Sequence, residues 1–499
     1  MASSASADFS TDYRALSADS RCGRHVVLAC CVFVFLVQYM QSSPMLAPFL
    51  ADSATGRAIG TDAVGVVFAA YPLATAIATP LPGRVIRRVG VRRTVCTGLC
   101  LTAAGAFAFG CIGVWAVRLQ VGALVATVGL VVSRACGGLG AALAEAGSLT
   151  AISVAGWGDD LGKALSLVEV VTGVGAALGA EMGSVLYVIG APTAVGAFLL
   201  PMLVASALPL TAMPLAIAVL DDATGEDDAG ADAAAPSTGK KTEQEEAQQQ
   251  HEPPLAAGEP PEPRVLPLSR ACTAVSLGLS ATVFEGLNPL LEPHLARRPY
   301  QLSVPQVGTL LSTVCVVYTC TALPAGWLSD KLNRGADAPA RVRCLMIGGW
   351  LVALLTAALL WPAGGRAAVR ELMVDAGLRA YAPDAAGPVP GWMARGALWT
   401  AVPLLGASAA LIIIPSLPDM QRGLADADEQ GRARMCAVWN GAYSAGSAVG
   451  PLVATALYAR VGWPVIITAK AAVCAVGVAV LLVPAWRCHG RCRRRASPR

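Results

Sequence analysis

A chain of 499 residues, 55% of them hydrophobic and only 14% charged, is too apolar to fold as a soluble protein of two or three domains. The formal charge of +4 gives no reason to expect a nucleic-acid partner, because basic residues cluster between apolar runs while an acidic tract fills the middle. The fifteen cysteines fall mostly inside apolar runs, as Cys30, Cys96, Cys136 and Cys315 do. There a thiol behaves as a small hydrophobe, so no disulfide framework is expected.

The chain opens on a polar stretch, residues 1–25, that has no short apolar core ahead of a cleavage site and reads as a retained cytosolic tail. A membrane-spanning helix needs about 20 apolar residues. Such runs lie near 26–49, 62–83, 95–116, 123–148, 164–188, 194–218, 270–292, 306–328, 342–362, 397–418, 436–459 and 464–485. The expectation is an all-α integral membrane protein with twelve transmembrane helices. Placing both termini in the cytosol puts 26 of the 37 Lys and Arg on that side and 9 on the other, as the positive-inside rule requires. Residues 221–265 are acidic, Pro-rich and nearly free of large apolar side chains, and are expected to be a disordered cytosolic linker. They separate an N-terminal six-helix half (26–220) from a C-terminal one (266–486), followed by a basic cytosolic tail (487–499). Nothing points beyond a monomer.

Ionised side chains inside spans are the candidates for function, because each costs roughly 2.5–3.5 kcal/mol at the bilayer centre on insertion scales and must face a cavity or a partner. Arg134 and Glu145 are eleven residues apart in span four, on one face but about 16 Å apart. Arg134 should line the central cavity or meet an acid from another helix. Glu169 lies about 8 Å into span five and is the first candidate for a proton or cation site, unless it reaches the interface or Lys163. Glu181 falls opposite the ridge of Gly175, Gly179 and Gly183, whose spacing lets backbones approach, and is expected toward a hydrated external mouth. In span seven, Glu285 and Glu292 flank Asn288-Pro289, which should interrupt the helix and free backbone carbonyls. Glu292 and His294 are expected near the outer surface, and Lys470 to snorkel to headgroups.

A second set of residues could recognise a substrate. Asn440, Ser444 and Ser447 form a polar stripe in span eleven. With Gln38, Tyr39, Tyr71, Trp439 and Tyr443 they offer the amide and aromatic surface that cation–π recognition uses. No phosphate-cradling G-x-x-x-x-G-K-[ST] run is present, so the chain has no ATP motor of its own. No nucleophile–base pair or metal quartet emerges, and neither an enzymatic activity nor a cofactor or metal is expected.

The two halves repeat. An offset of 243 pairs Gly65 with Gly308, Gly83 with Gly326 and Arg88 with Lys331, while an offset of 271 pairs Gly175 with Gly446 and drops Glu169 onto Asn440. Duplicated halves with a site at their interface are the plan of one large transporter class. GWLSDK (Gly326, Asp330, Lys331) and GRVIRRVGVRR (Gly83, Arg87, Gly90, Arg92) resemble the short-loop gating motif of the major facilitator superfamily, and SRACGGLG around Arg134 resembles its fourth-helix motif. More narrowly, the stretches around Glu169, NPLLEPHL (288–295) and AVWNGAYSAGSAVGP (437–451) resemble the branch of vesicular amine and polyamine transporters. Arg87 stands where the loop motif carries an acid, Glu181 where the fifth-helix motif carries a proline, and the first span lacks the carboxylate of monoamine carriers.

That resemblance implies two pseudo-symmetric halves working by alternating access, proton-coupled antiport of an organic cation (amine or polyamine), and a link between Arg134 and proton coupling. The expected residence is a vesicle, vacuole or plasma membrane. Alternatives are a drug or metabolite exporter of the same fold and a non-transporting receptor or scaffold.

Overall fold

The computed structural model describes residues 33–38, 40, 46, 60–79, 81–119, 121–154, 161–220, 266–297, 299–332, 338–361, 391–422, 424 and 429–495, and among these there is helix but no strand. Most of the first predicted span, the N-terminal tail and the linker lie outside the described residues. The helices are α1 (Thr61–Ala78), α2 (Pro82–Val89), α3 (Val91–Arg118), α4 (Ala123–Val154), α5 (Leu161–Gly190), α6 (Ala194–Val219), α7 (Leu268–Glu285), α8 (Asn288–Leu295), α9 (Val304–Leu332), α10 (Ala338–Leu360), α11 (Gly391–Gln421) and α12 (Glu429–Arg495).

Several of these outrun their apolar windows. α11 begins six residues before the predicted 397 and α4 ends six after the predicted 148, because a helix that is satisfied within its own backbone continues into the polar interface. The apolar stretch Arg434–Val483 of α12 is 50 residues long, about 75 Å at 1.5 Å per residue, whereas one crossing of the hydrocarbon takes about 30 Å. It therefore holds two spans, and they meet at Gly462, whose φ of 74° and ψ of −178° suit only glycine. The seventh span is broken as its Asn-Pro pair predicts. α7 stops at Glu285, Gly286 and Leu287 form a turn, and α8 restarts at Asn288 with Pro289 in its first turn.

Within the N-terminal half, α3 and α4 pack so closely that a Cβ on Gly98 would meet the Gly140 carbonyl and Ala144 amide, and one on Gly105 would meet Gly137. Within the C-terminal half, Trp350 of α10 is fully buried against Gly477 and donates from Nε1 to Ser276 Oγ of α7 at 2.9 Å. Gly446 and Gly450 sit against the backbone of α7 and its turn, so the glycine ridge of span eleven is a packing device. Exposed tryptophans at helix ends, Trp115, Trp327, Trp361 and Trp392, suit the two headgroup levels.

The halves meet along two seams, α1 on the first arm of α12 and α5 on α9. A Cβ on Gly65 would run into Thr455 and the Pro451 carbonyl, and one on Gly308 would run into Ser184. The glycines paired by the 243-residue offset thus each occupy a point of close approach in one of the two seams. Gly65→Leu or Gly308→Leu would push the halves apart.

Candidate substrate and coupling site between the halves

The α5–α9 seam is built from small residues. Gly173 lies against Thr319 and Tyr318, and Ala176 and Ala177 against Cys315. That closeness brings the carboxylates of α5 to hydroxyls of α9. Tyr318 Oη donates to Glu169 Oε2 at 2.7 Å, and Thr309 Oγ1 lies 3.2 Å from Glu181 Oε1. The Thr309 hydroxyl has one proton and a second acceptor, the Pro305 carbonyl at 3.1 Å, so it serves Glu181 only part of the time unless a protonated Glu181 is itself the donor. Glu181 Oε2 is buried with no hydrogen-bond partner. Glu181 therefore faces the seam: the same rotation that turns it from the glycine ridge turns it toward α9, where its contact with Thr309 is exposed.

Deeper between the halves, Arg134 of α4 is 3% exposed. Its guanidinium carbon lies 5.1 Å from the ring centre of Tyr71 and 5.9 Å from those of Phe68 and Phe109, an aromatic enclosure that favours a cation. Glu285 of the opposite half acts electrostatically on Arg134. Glu285 closes α7 immediately before the break, where Asn288 Nδ2 of α8 donates to its Oε2 at 2.7 Å. The charges of Glu169 and Glu285 both act on Tyr443. The arrangement thus gathers Arg134 and Glu169 from one half with Glu285, Tyr318 and Tyr443 from the other. The charge of Glu145 acts on Tyr71, and that of Glu169 acts on Glu145.

The polar stripe of span eleven lies beside this group. Trp439 and Tyr443 stack with ring centres 6.0 Å apart and planes 7° apart, Trp439 Nε1 donates to Ser416 Oγ at 2.7 Å, and Ser444 Oγ donates to Asn440 Oδ1 at 3.5 Å. Tyr71 Oη is buried without a hydrogen-bond partner. Gln38 is half-buried and Tyr39 lies outside the described residues. Of the loop motifs, Gly83 and Arg87 are described only as backbone in α2. Gly90 links α2 to α3 with φ 83°, and Arg92 is half-buried in the first turn of α3. Gly326 is buried near the end of α9, while Asp330 and Lys331 are exposed there, with the Lys331 ammonium 5.0 Å from the Trp327 ring centre.

Three expectations are corrected. His294, expected near the outer surface, is half-buried: its ring stacks on Trp463 at 3.9 Å and 7°, with Tyr300 5.6 Å away. Glu292 is buried rather than at the surface. Lys470 does not snorkel, being 6% exposed with no hydrogen-bond partner for Nζ, because the face of α12 that carries it also carries Ile466, Ile467 and Cys474 into the core.

The sequence matches the major facilitator superfamily over residues 28–258 and 273–487. The chain belongs to that superfamily. Among solved structures it is similar to a variant of the nucleoside transporter NupG, with 12% identity, a TM-score of 0.59, and coverage of 92% of this chain and 99% of that one. It is likewise similar to the xylose transporter XylE from E. coli in a partially occluded inward-open conformation, with 13% identity, a TM-score of 0.59, and coverage of 92% and 97%. No curated protein matches. At such identities the likeness carries the fold. As a major facilitator protein the chain is a multi-pass membrane transporter with twelve transmembrane helices in two six-helix halves.

Proposed function

We propose that this transporter exchanges protons for an organic cation, an amine or polyamine, by alternating access, with both termini in the cytosol. The observation that supports the reading is the hydrogen bond from Tyr318 to Glu169, which joins the two halves at an acid that can carry charge. A protonated Glu169 is neutral and holds no cation. When a substrate ammonium arrives, the carboxylic acid releases its proton to the aqueous side and the carboxylate pairs with the ammonium. One positive charge replaces another, and the intramembrane charge is conserved.

Glu285 is the second exchanging acid, and Glu181 a further one along the seam. Arg134 supplies a fixed positive charge that biases which acid is ionised. Tyr71, Trp439 and Tyr443 present ring faces to the cation, and Gln38, Asn440 and Ser444 present acceptors for its N–H groups. When the halves rock, the bond from Tyr318 must break and re-form, so occupancy of Glu169 and the conformational state are linked. Gly83, Arg87, Gly90 and Arg92 with Gly326, Asp330 and Lys331 are assigned to the loop gates that set the resting state.

Uptake of amines and polyamines into proteoliposomes under an imposed pH gradient tests this. Wild type should accumulate substrate only with the gradient, and Glu169→Gln, inserted equally well, should not. Gradient-independent uptake, or coupling unchanged in the variant, would overturn the assignment. A second reading is a drug or metabolite exporter of the same fold, with a broader cavity. It predicts uptake of apolar compounds in the same assay. Stabilisation by a ligand without uptake of anything would point instead to a receptor.

A further inference from the structure

Trp439 and Tyr443 lie about one turn apart on the first arm of α12, with their ring planes 7° apart, and both are half-buried. A half-buried indole on a helix has more than one staggered rotamer open to it. Its N–H is what selects among them here. Trp439 Nε1 donates to Ser416 Oγ of α11 at 2.7 Å. Ser416 gives its single proton to the Ile413 carbonyl of its own helix at 2.6 Å, which leaves its lone pairs for the indole. Ser416 is 0% exposed, so bulk water has no access to take its place.

The local sequence makes Ser416 a firm support. Pro415 and Pro418 bracket it within α11, and each proline fixes its own φ, which narrows the freedom of the backbone from which the hydroxyl projects. Ala409, Ile413 and Ser416 recur at the spacing of one helix face. Trp439, Tyr443 and Tyr318 pack against the cluster that contains Ala409 and Ile413. That face of α11 therefore backs the aromatic wall of the central site. Tyr443, the ring beside the indole, is also the one on which the charges of Glu169 and Glu285 act.

We propose that Ser416 is a positioning residue for the organic cation, fixing the plane of the Trp439 indole, and with it the Trp439–Tyr443 stack, so that a ring face meets the substrate ammonium. The proposal rests on the organic-cation reading given above. The face of an aromatic ring attracts a cation and its edge repels one, so the orientation of the indole sets affinity as much as its presence does. Ser416 touches no substrate and acts only through the indole.

The test is gradient-driven uptake of spermidine and of tetramethylammonium by the full-length protein in proteoliposomes, read as half-saturating concentration and maximal rate. Wild type, Ser416→Ala, Trp439→Phe and the double variant are compared. Ser416→Ala should raise the half-saturating concentration by about tenfold, the size of one cation–π contact, and by more than it lowers the maximal rate. Trp439→Phe keeps a ring but has no N–H. In that background Ser416→Ala should change neither value, a non-additivity that a general loosening of α11 would not produce. Should Ser416→Ala fail to insert because its indole N–H is left unsatisfied, the double variant removes both partners and should insert and match Trp439→Phe. Ser416→Ala indistinguishable from wild type, or a double variant weaker than Trp439→Phe, would overturn the proposal and leave the organic-cation reading standing. No gradient-driven uptake of either cation by well-inserted wild type would count against that reading itself, and the proposal would fall with it.

Discussion

The two seams between the halves occupy equivalent places in the repeat yet are finished differently. Along α1 and α12 the contact is small and self-satisfied: Gly65 lies against Thr455, whose hydroxyl bonds the Pro451 carbonyl of its own helix at 2.8 Å. Along α5 and α9 the same close approach at Gly308 is flanked by two acids, Glu169 and Glu181, that turn to hydroxyls on the other half. The 243-residue offset pairs the glycines of the two seams, whereas among the described residues the acids seen to bond across a seam, Glu169 and Glu181, lie on α5. A rocking motion about this interface would then have one seam that slides on a smooth contact and one whose closure depends on protonation.

Substitutions can break that difference or sharpen it. Glu169→Gln should have the largest effect, abolishing gradient-driven uptake in proteoliposomes while the amount of inserted protein is unchanged. Gly65→Leu and Gly308→Leu should each destabilise the folded protein by about 1–3 kcal/mol through overpacking, read as a lowered midpoint in thermal unfolding. If the seams share only geometry, the two losses should be similar. Tyr318→Phe removes one donor to a carboxylate, a bond of about 1.5–3 kcal/mol. Its uptake rate should fall by about tenfold or more and its pH profile should shift, whereas Tyr300→Phe, outside the seam, should leave both unchanged. Thr309→Val should have the smallest effect, under about 1 kcal/mol, since that hydroxyl is shared with Pro305. An effect of Thr309→Val as large as that of Tyr318→Phe would make Glu181, rather than Glu169, the principal acid of the seam.

Much of the architecture could be read from the sequence because the bilayer imposes length and polarity on every span. The twelve apolar runs, the break at Asn288-Pro289 and the glycine pairing all register as local pattern. The partners of the acids do not. Tyr318 carries no charge and sits in a run of α9 that is otherwise ordinary core, and nothing in spacing says that α9 lies beside α5. The same holds for His294 and Trp463, which are 169 positions apart and meet as stacked rings. Only the assembled bundle brings them to one point. Lys470 shows the reverse error: a lone lysine near a span end suggests an escape to the headgroups, but the side of α12 on which it falls is set by the packing of its neighbours.

That buried lysine bears on how the protein is made. On insertion scales a lysine deep in a helix costs about 2.5–3.5 kcal/mol, and Lys470 brings that cost to the second arm of α12. The second arm of α12 gains its place by docking its Ile466, Ile467 and Cys474 face onto helices that precede it in the chain. Insertion of this arm should therefore be cooperative with folding, the lysine entering the membrane interior together with the face that docks.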